Sequence, residues 1–289
     1  MRIVEYGPDR RSDVADLMQR VWGRRPAEAE LEWSYERNPV RAASVLIAEE
    51  DDQVVGTVAV RFLRMSIGGE EVEVGMPVGL ATDPAYHGRG VFSRLELANE
   101  ERVRELGIGL LLIVPNAAST PVLAGRLGWC ELPSLRVWAR VRVLRARPRR
   151  ARQADRLPPL VTPPHEQRAA GDHVLRDSAW LNWRFADAPR PYVLLDGRDG
   201  YAVAGSRGRL GVVAAVSPDR GRGDLLGEVT AAAPGRLLIA APPPGERRRY
   251  ALAGYVPTPR AFTVLGKSLH PSQRLPARPH FELGDLDFM

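Results

Sequence analysis

Between Thr82 and Ser93 the chain reads Thr-Asp-Pro-Ala-Tyr-His-Gly-Arg-Gly-Val-Phe-Ser. An apolar run, Met76 to Ala81, precedes it, and a helical pattern of Leu95, Leu97, Ala98, Val103 and Leu106 follows. The order is strand, glycine-bearing turn, helix start. Such a turn aims several backbone N–H groups and the positive end of a helix dipole at one point. Phosphate binds there without any side-chain charge. The alternative is an ordinary tight turn, and Gly-x-Gly alone does not separate the two.

The flanking residues do more. After the helix comes Gly109-Leu110-Leu111-Leu112-Ile113-Val114, a buried-strand run bounded by Gly and Pro. Pro115-Asn116-Ala117-Ala118-Ser119-Thr120 follows, then a short helix ending at Leu127-Gly128-Trp129. This array resembles the GNAT acetyltransferases over about residues 1–145. In that family the turn reads Gln/Arg-x-x-Gly-x-Gly/Ala and binds the pyrophosphate of acetyl-CoA. The matching string here is His87-Gly88-Arg89-Gly90-Val91-Phe92. Gly90 keeps position four, whereas His87 stands for Gln or Arg and Phe92 for a small residue.

At 289 residues two domains are expected. Hydrophobic content of 44% and charged content of 26% are those of a globular protein. No apolar run reaches the length of a membrane span, and the N-terminus carries Glu5 and Gly7 where a signal peptide needs an apolar core. The expectation is a cytoplasmic protein with no membrane partner. The single cysteine, Cys130, excludes an intrachain disulfide and a multi-cysteine metal site, and no metal is expected. Cys130 reads as a small buried packing residue. The net charge of +6 comes almost wholly from arginine. Its densest cluster, Arg140, Arg142, Arg145, Arg147, Arg149, Arg150 and Arg152, reads as a solvated linker. Steering of an anionic substrate and nucleic-acid binding are the alternatives, but no nucleic-acid motif accompanies it.

Ser12 or Asp13 is expected to cap a helix to about Trp22, with Val14, Leu17, Met18 and Val21 on one face. A second helix spans about 27–37. Strands follow over 44–49, 53–65 and 71–82, with hairpin turns at Asp51-Asp52 and Gly68-Gly69. Residues 135–144 alternate apolar and charged residues, as in a strand with one wet face. Residues 146–170 are rich in Pro and Arg and read as a linker. In 171–289, Trp180 to Phe185 reads as a short helix, and strands are expected over 192–195, 200–204, 210–216 and 237–240. Ser217-Pro218-Asp219-Arg220-Gly221-Arg222-Gly223-Asp224 parallels the first turn, and Gly254-Tyr255 parallels Gly128-Trp129. The second half therefore reads as a shortened copy of the first, with Asp224 at its helix start where a carboxylate repels pyrophosphate. Tandem GNAT proteins with one degenerate half show this pattern. The expected fold class is α/β, a GNAT-like mixed sheet flanked by helices (1–145), the linker (146–170), and a reduced GNAT-like domain with a C-terminal tail (171–289). The acidic, aromatic tail from Phe281 is expected to be frayed. The alternative has it folding back to supply Asp285 or Asp287 to a cationic amine.

The resemblance implies acetyl-CoA as co-substrate and an amine as acceptor. Gly88, Arg89, Gly90, Val91, Phe92 and Ser93, with His87, hold the diphosphate through backbone N–H groups. Arg89 adds a charge-assisted bond or is simply exposed. A backbone N–H near Leu80, Ala81 or Thr82 polarises the thioester carbonyl, beside a bulge that Pro77 and Gly79 favour. Asn116 contacts the CoA arm, or else makes a helix cap or an Asx-turn, and Ser119 is a weaker candidate for either role. The tyrosine that many members use as leaving-group acid is absent: Ala124 holds its place. Glu71 and Glu73, on the strand leading to the site, are the candidate bases, against plain solvated charge. Trp33 and Tyr35 lie in the substrate-facing helical region and are candidates for lining the acceptor pocket. The expected activity is N-acetylation of a small-molecule primary amine in a ternary complex. The alternatives are transfer to a sugar amine in surface-polysaccharide assembly or to a protein amine, a non-catalytic acyl-CoA sensor, and a nucleic-acid binder. A homodimer stays open.

Overall fold

Asp51 and Asp52, at φ 50° and 60°, and Gly68 and Gly69, at φ 62° and 89°, make the two expected hairpin turns. The structure is a computed structural model and describes residues 1–142, 151–159, 171–197, 200–217 and 224–286. They divide into two compact units. The first holds Met1–Arg64, Glu73–Glu131 and Val264–Leu275; the second holds Met65–Val72, Leu132–Thr263 and Pro276–Met289. The division differs from a cut near residue 145. The tip of one hairpin goes to the second unit and a C-terminal segment goes to the first.

In the first unit, a 3₁₀ turn, Pro8–Arg10, leads into α1 (Arg11–Trp22), which buries Val14, Ala15, Leu17 and Met18. Arg10 stands at the cap position, not Ser12 or Asp13, and Asp13 instead accepts from Arg10 Nε at 2.6 Å in the first turn. Gly23, at φ 71°, closes the helix with its N–H on Gln19 O. Then come α2 (Glu28–Tyr35), β2 (Ser44–Glu50), β3 (Gln53–Ile67) and β4 (Glu70–Thr82). β1 (Arg2–Glu5) lines β2 antiparallel. α3 (Val91–Glu105), β5 (Leu110–Ile113) and α4 (Thr120–Arg126) complete the N-terminal part. The sheet order is β1-β2-β3-β4-β5-β13. β13 (Val256–Ser268) supplies Leu265–Ser268, antiparallel to Leu110–Ile113. α3 seats Val91 and Leu95 on Leu46, Ala48, Val55 and Val58. Leu97, expected on this face, is 51% exposed. The buried row is Val91, Leu95, Asn99 and Val103, with Glu96 and Glu100 beside it.

In the second unit, β6 (Cys130–Val141) lies in the order β13-β6-β12-β11-β10-β9-β7. The others are β7 (Arg152–Ala154), β8 (His173–Val174, paired with Met65 and Ser66 of β3), β9 (Val193–Gly197), β10 (Gly200–Arg207), β11 (Leu210–Val216) and β12 (Leu237–Ala240). α5 (Ser178–Leu181) continues as a π turn, Asn182–Ala186. α6 (Leu225–Ala232) links the parallel pair β11 and β12, and α7 (Arg247–Leu252) precedes β13.

Several expectations are corrected here. β7 lies within the stretch read as linker, paired with β9. The alternation of β6 reverses at its end. Val141 is 72% exposed, while Arg142 is buried and donates to the carbonyls of Thr230, Ala231 and Gly235 at the C-terminal end of α6. Cys130 is exposed, because it starts a strand whose first residues lie at the surface. The C-terminal segment is anchored, not frayed. Phe281 to Leu286 are buried, and Asp285 accepts from buried Arg176 through two hydrogen bonds. Arg184 holds the carbonyls of Gly284 and Leu286. Buried in this ion pair, Asp285 is withheld from any acceptor amine. Asp287 and residues 218–223 of the second turn lie outside the described residues.

Candidate functional site

β4 and β5 run parallel with Gly75 opposite Leu111 as their register. A Cβ on Gly75 would stand 2.6 Å from Leu111 and 2.8 Å from Val60, so the strands close tightly there. Further along β4, Pro77 offers no N–H and Gly79 takes φ 63°, a bulge only glycine adopts readily. Among the described residues the β4–β5 register is the single pair Gly75–Leu111, and Leu80, Ala81 and Thr82 follow Gly79 beyond it. The bulge packs against α1 and α2: a Cβ on Gly79 would lie 3.2 Å from the Tyr35 hydroxyl and 3.6 Å from Met18 Cε.

The turn after β4 is held from its start. Asp83 caps a 3₁₀ turn, Pro84–Tyr86, accepting the Ala85 N–H at 3.0 Å. Its other oxygen accepts from Arg20 Nε of α1 at 2.7 Å, and its own N–H donates to Val55 O at 2.9 Å. Burial alone would push the Asp83 carboxyl up. The Arg20 hydrogen bond, the Ala85 N–H and the charges of Arg20 and His87 bring it below its usual range instead. Gly88 and Gly90 take φ 78° and 74°, and Gly90 is the cap of α3. A Cβ at either glycine would meet nothing within 4 Å. Conformation therefore selects glycine here, and the space above the turn is open. The amides of Val91, Phe92 and Ser93 begin α3, where no intrahelical acceptor exists. Main-chain amides at a helix start preceded by left-handed glycines are an arrangement suited to an anion.

The sequence-derived residues fall into three sets. Leu80 to Thr82 end β4, and Gly88 to Ser93 close the turn that follows and open α3. His87 serves the turn rather than a ligand: its Nε2 is paired with Thr82 O at 3.1 Å. The Arg89 guanidinium lies 4.8 Å over the Tyr86 ring, exposed at the turn's rim. Val91 is buried and Phe92 packs on the core, so both offer only main chain to a ligand.

Asn116 and Ser119 form the second set. Asn116 Oδ1 accepts the N–H groups of Ala118 and Ser119 at 2.9 Å each, which is the Asx-turn alternative, and Ser119 stands at the cap position of α4. Trp33 and Tyr35 are buried, with Tyr35 edge-on to Tyr6 at 5.4 Å. Tyr35 backs the bulge at Gly79.

The third set is not brought to the turn. Glu73 Oε1 is ion-paired with Arg41 Nε at 3.0 Å, and Arg41 also donates to Leu106 O beyond the C-terminal end of α3. The turn lies at the other end of that 15-residue helix, about 22 Å away. Glu71, two residues before Glu73 on β4, is exposed. Ala124 packs on the core beside buried Leu123, so that helix supplies no acid.

Arg20, Asp83 and Met18 were missed as site residues. Asp-Pro at 83–84 is a legible cap signal. Nothing in the sequence ties Arg20 to a partner 63 residues away.

Residues 2–131 match the family model for the acetyltransferase (GNAT) domain. Among solved structures, a GCN5-related N-acetyltransferase from Kribbella flavida aligns with a TM-score of 0.67 at 19% identity, over 93% of this chain and 72% of that one. A probable N-acyltransferase from Enterococcus faecalis V583 aligns with a TM-score of 0.67 at 12% identity, with the same coverages, 93% and 72%. A tandem GNAT protein from the clavulanic acid biosynthesis pathway aligns at 0.59 and 14% identity, over 94% of this chain and 99% of that one. At such identities the likeness concerns the fold. No curated protein matches the sequence.

Proposed function

We propose, from the match of residues 2–131 to the GNAT acetyltransferase domain, that the chain is an acyltransferase of that type and acetylates a primary amine of a small molecule, with acetyl-CoA as donor, by direct attack in a ternary complex. The observation that carries the reading is the pair of left-handed glycines, Gly88 and Gly90, opening α3 just after β4. The open space over both glycines suits a diphosphate held by main-chain amides. Bound there, acetyl-CoA would supply an activated thioester.

The roles of this chain's residues follow. The amides of Gly88 to Ser93 hold the diphosphate, and Arg89 turns from Tyr86 to add a charge-assisted bond. The Leu80 to Thr82 main chain borders the carrier arm and offers the N–H that polarises the carbonyl. Asn116, whose oxygen is engaged in the Asx-turn before α4, has its amide nitrogen left for the arm. Tyr35 fixes the bulge from the acceptor side. No carboxylate is assigned as base: Glu73 faces Arg41, and Glu71 is exposed two residues earlier on β4, so the amine proton leaves to water and CoA departs as its thiolate. The rate then rises with pH as the acceptor ammonium loses its proton and becomes the nucleophilic free amine.

The second unit is read as a reduced copy. Its β11, α6 and β12 repeat the order of β4, α3 and β5. The Asp224 carboxylate accepts the Gly227 N–H at 2.8 Å at the start of α6, where a phosphate would sit. It carries no cofactor in this reading, so one acetyl-CoA binds per chain.

A sensor without turnover is the second reading, favoured by the core-packed Ala124 in the place of an acid. Acetyl-CoA mixed with the protein and a panel of sugar, polyamine, aminoglycoside and peptide amines separates the two. Release of free thiol with a product heavier by one acetyl group is expected for a small amine. Thermal stabilisation by acetyl-CoA with no thiol from any amine would replace the enzyme with a sensor.

A further inference from the structure

Arg20 sits in the last turn of α1 and reaches the first residue of the turn. Its Nε donates to Asp83 Oδ2 at 2.7 Å, and its Nη2 donates to Val54 O at 2.8 Å. Asp83 in turn holds the Ala85 N–H at 3.0 Å and sends its own N–H to Val55 O at 2.9 Å. One guanidinium therefore ties α1, the start of β3 and the first residue of the turn. Met18, two residues earlier on the same helix, lies against the Gly79 bulge. α1 thus contacts the strand where the carrier arm would run and the turn where its diphosphate would sit.

The turn needs such an anchor. From Pro84 to Gly90 every residue except Tyr86 is exposed, and two of them are glycines in left-handed conformation. An exposed segment of that kind has many conformations to lose. Amides that must be ordered at the moment of binding give weak affinity, and amides ordered beforehand give strong affinity. The Arg20–Asp83 bond can act as that anchor. Its side chains are 35% and 9% exposed, so water screens the pair less than a surface pair.

We propose that Arg20 is a positioning residue for the acyl carrier: through Asp83 it holds the main chain of the turn in the arrangement that receives a diphosphate. This rests on the reading of the turn given under Proposed function. The charged bond and the cap contribute separately. Asn at position 83 can still accept the Ala85 N–H, but its amide group opposes Arg20. Ala at that position loses both.

The test is calorimetry of CoA binding to the full chain and steady-state kinetics with acetyl-CoA. The variants are Arg20→Ala, Arg20→Lys, Asp83→Asn and Asp83→Ala, each with its melting temperature. Arg20→Ala and Asp83→Asn are expected to raise Kd and the acetyl-CoA KM roughly tenfold or more, with kcat held within about threefold. Arg20→Lys recovers part of the loss, and Asp83→Ala is the weakest binder. If the wild type binds CoA and Arg20→Lys and Asp83→Asn, still folded, bind it equally well, the positioning role is overturned while the function stands. If kcat falls and KM does not, the role is overturned too. If the wild type binds no CoA, the functional reading itself fails.

Discussion

Glu96 is fully buried on α3, and among the described residues neither of its carboxylate oxygens has a hydrogen-bond partner. Its charged neighbours are Glu100, one turn on, and Lys267 of β13. Lys267 is already engaged: Nζ donates to Glu100 Oε2 at 2.5 Å and to Leu127 O at 2.7 Å. Trp129 Nε1 donates to the other Glu100 oxygen at 3.1 Å. One ammonium thus serves two carboxylates. Burial, reinforced by Glu100 and only partly offset by Lys267, pushes the Glu96 carboxyl from 4.5 up to about 8. Between those values the folded protein holds a proton that the unfolded chain has lost. Stability from this group is full below about 4.5 and falls as pH rises through about 8, by up to about 1.4 kcal/mol per unit. Urea unfolding across that range should show the decline, and Glu96→Gln should flatten it. An equal slope in wild type and variant would assign the titration to another group. The sequence pattern offered Leu97 for this face. Helical periodicity admits a neighbouring row as easily, and only the packing of α3 on β2 decides which row turns inward.

At the scale of elements, β4 does two jobs at its two ends. Its early part, at Glu73, is bound into an ion pair with Arg41 next to Phe62, whose ring lies 5.5 Å from the Arg41 guanidinium carbon. Its late part bulges at Gly79 and leads into the turn. Seven residues of extended chain separate Glu73 from Leu80, on the order of 20 Å. Glu73→Gln is therefore expected to leave kcat within about threefold and its pH profile unshifted, while stability falls by about 0.5–1 kcal/mol. A loss of kcat of a hundredfold or more would restore the carboxylate as base. Most elements here were legible because their signals are local: Asp51-Asp52 and Gly68-Gly69 can only be turns between such strands, and Pro77 with Gly79 announces irregularity. The end of β6 was not legible. Arg142 is drawn inward by the carbonyls of α6, a partner some 90 residues on, and no alternation of residue types encodes that.

At the scale of the molecule, the unit that holds the candidate site is not contiguous in sequence. Leu265–Ser268 closes its sheet on β5, and Lys267 fixes that strand to α3. A fragment of residues 1–131 would leave the edge of β5 unpaired and Glu100 without its cation. It is expected to show no cooperative unfolding and to aggregate, and a peptide covering 256–275 should restore both solubility and a melting transition. A fragment that folds cooperatively by itself would contradict this. No strand was legible over 256–268, and pairing across more than 150 residues leaves no local signature of where such a strand would dock. The repeated strand–helix–strand order was legible, since it depends only on elements in series. The central claim is that main-chain amides around Gly90 grip the diphosphate of one acyl carrier per chain. Titration calorimetry of CoA into the full chain and into Gly90→Glu tests it. The account predicts one equivalent bound by the wild type and none by the variant, with far-ultraviolet circular dichroism alike for both. Equal affinity in the two proteins, or two equivalents in the wild type, would contradict it.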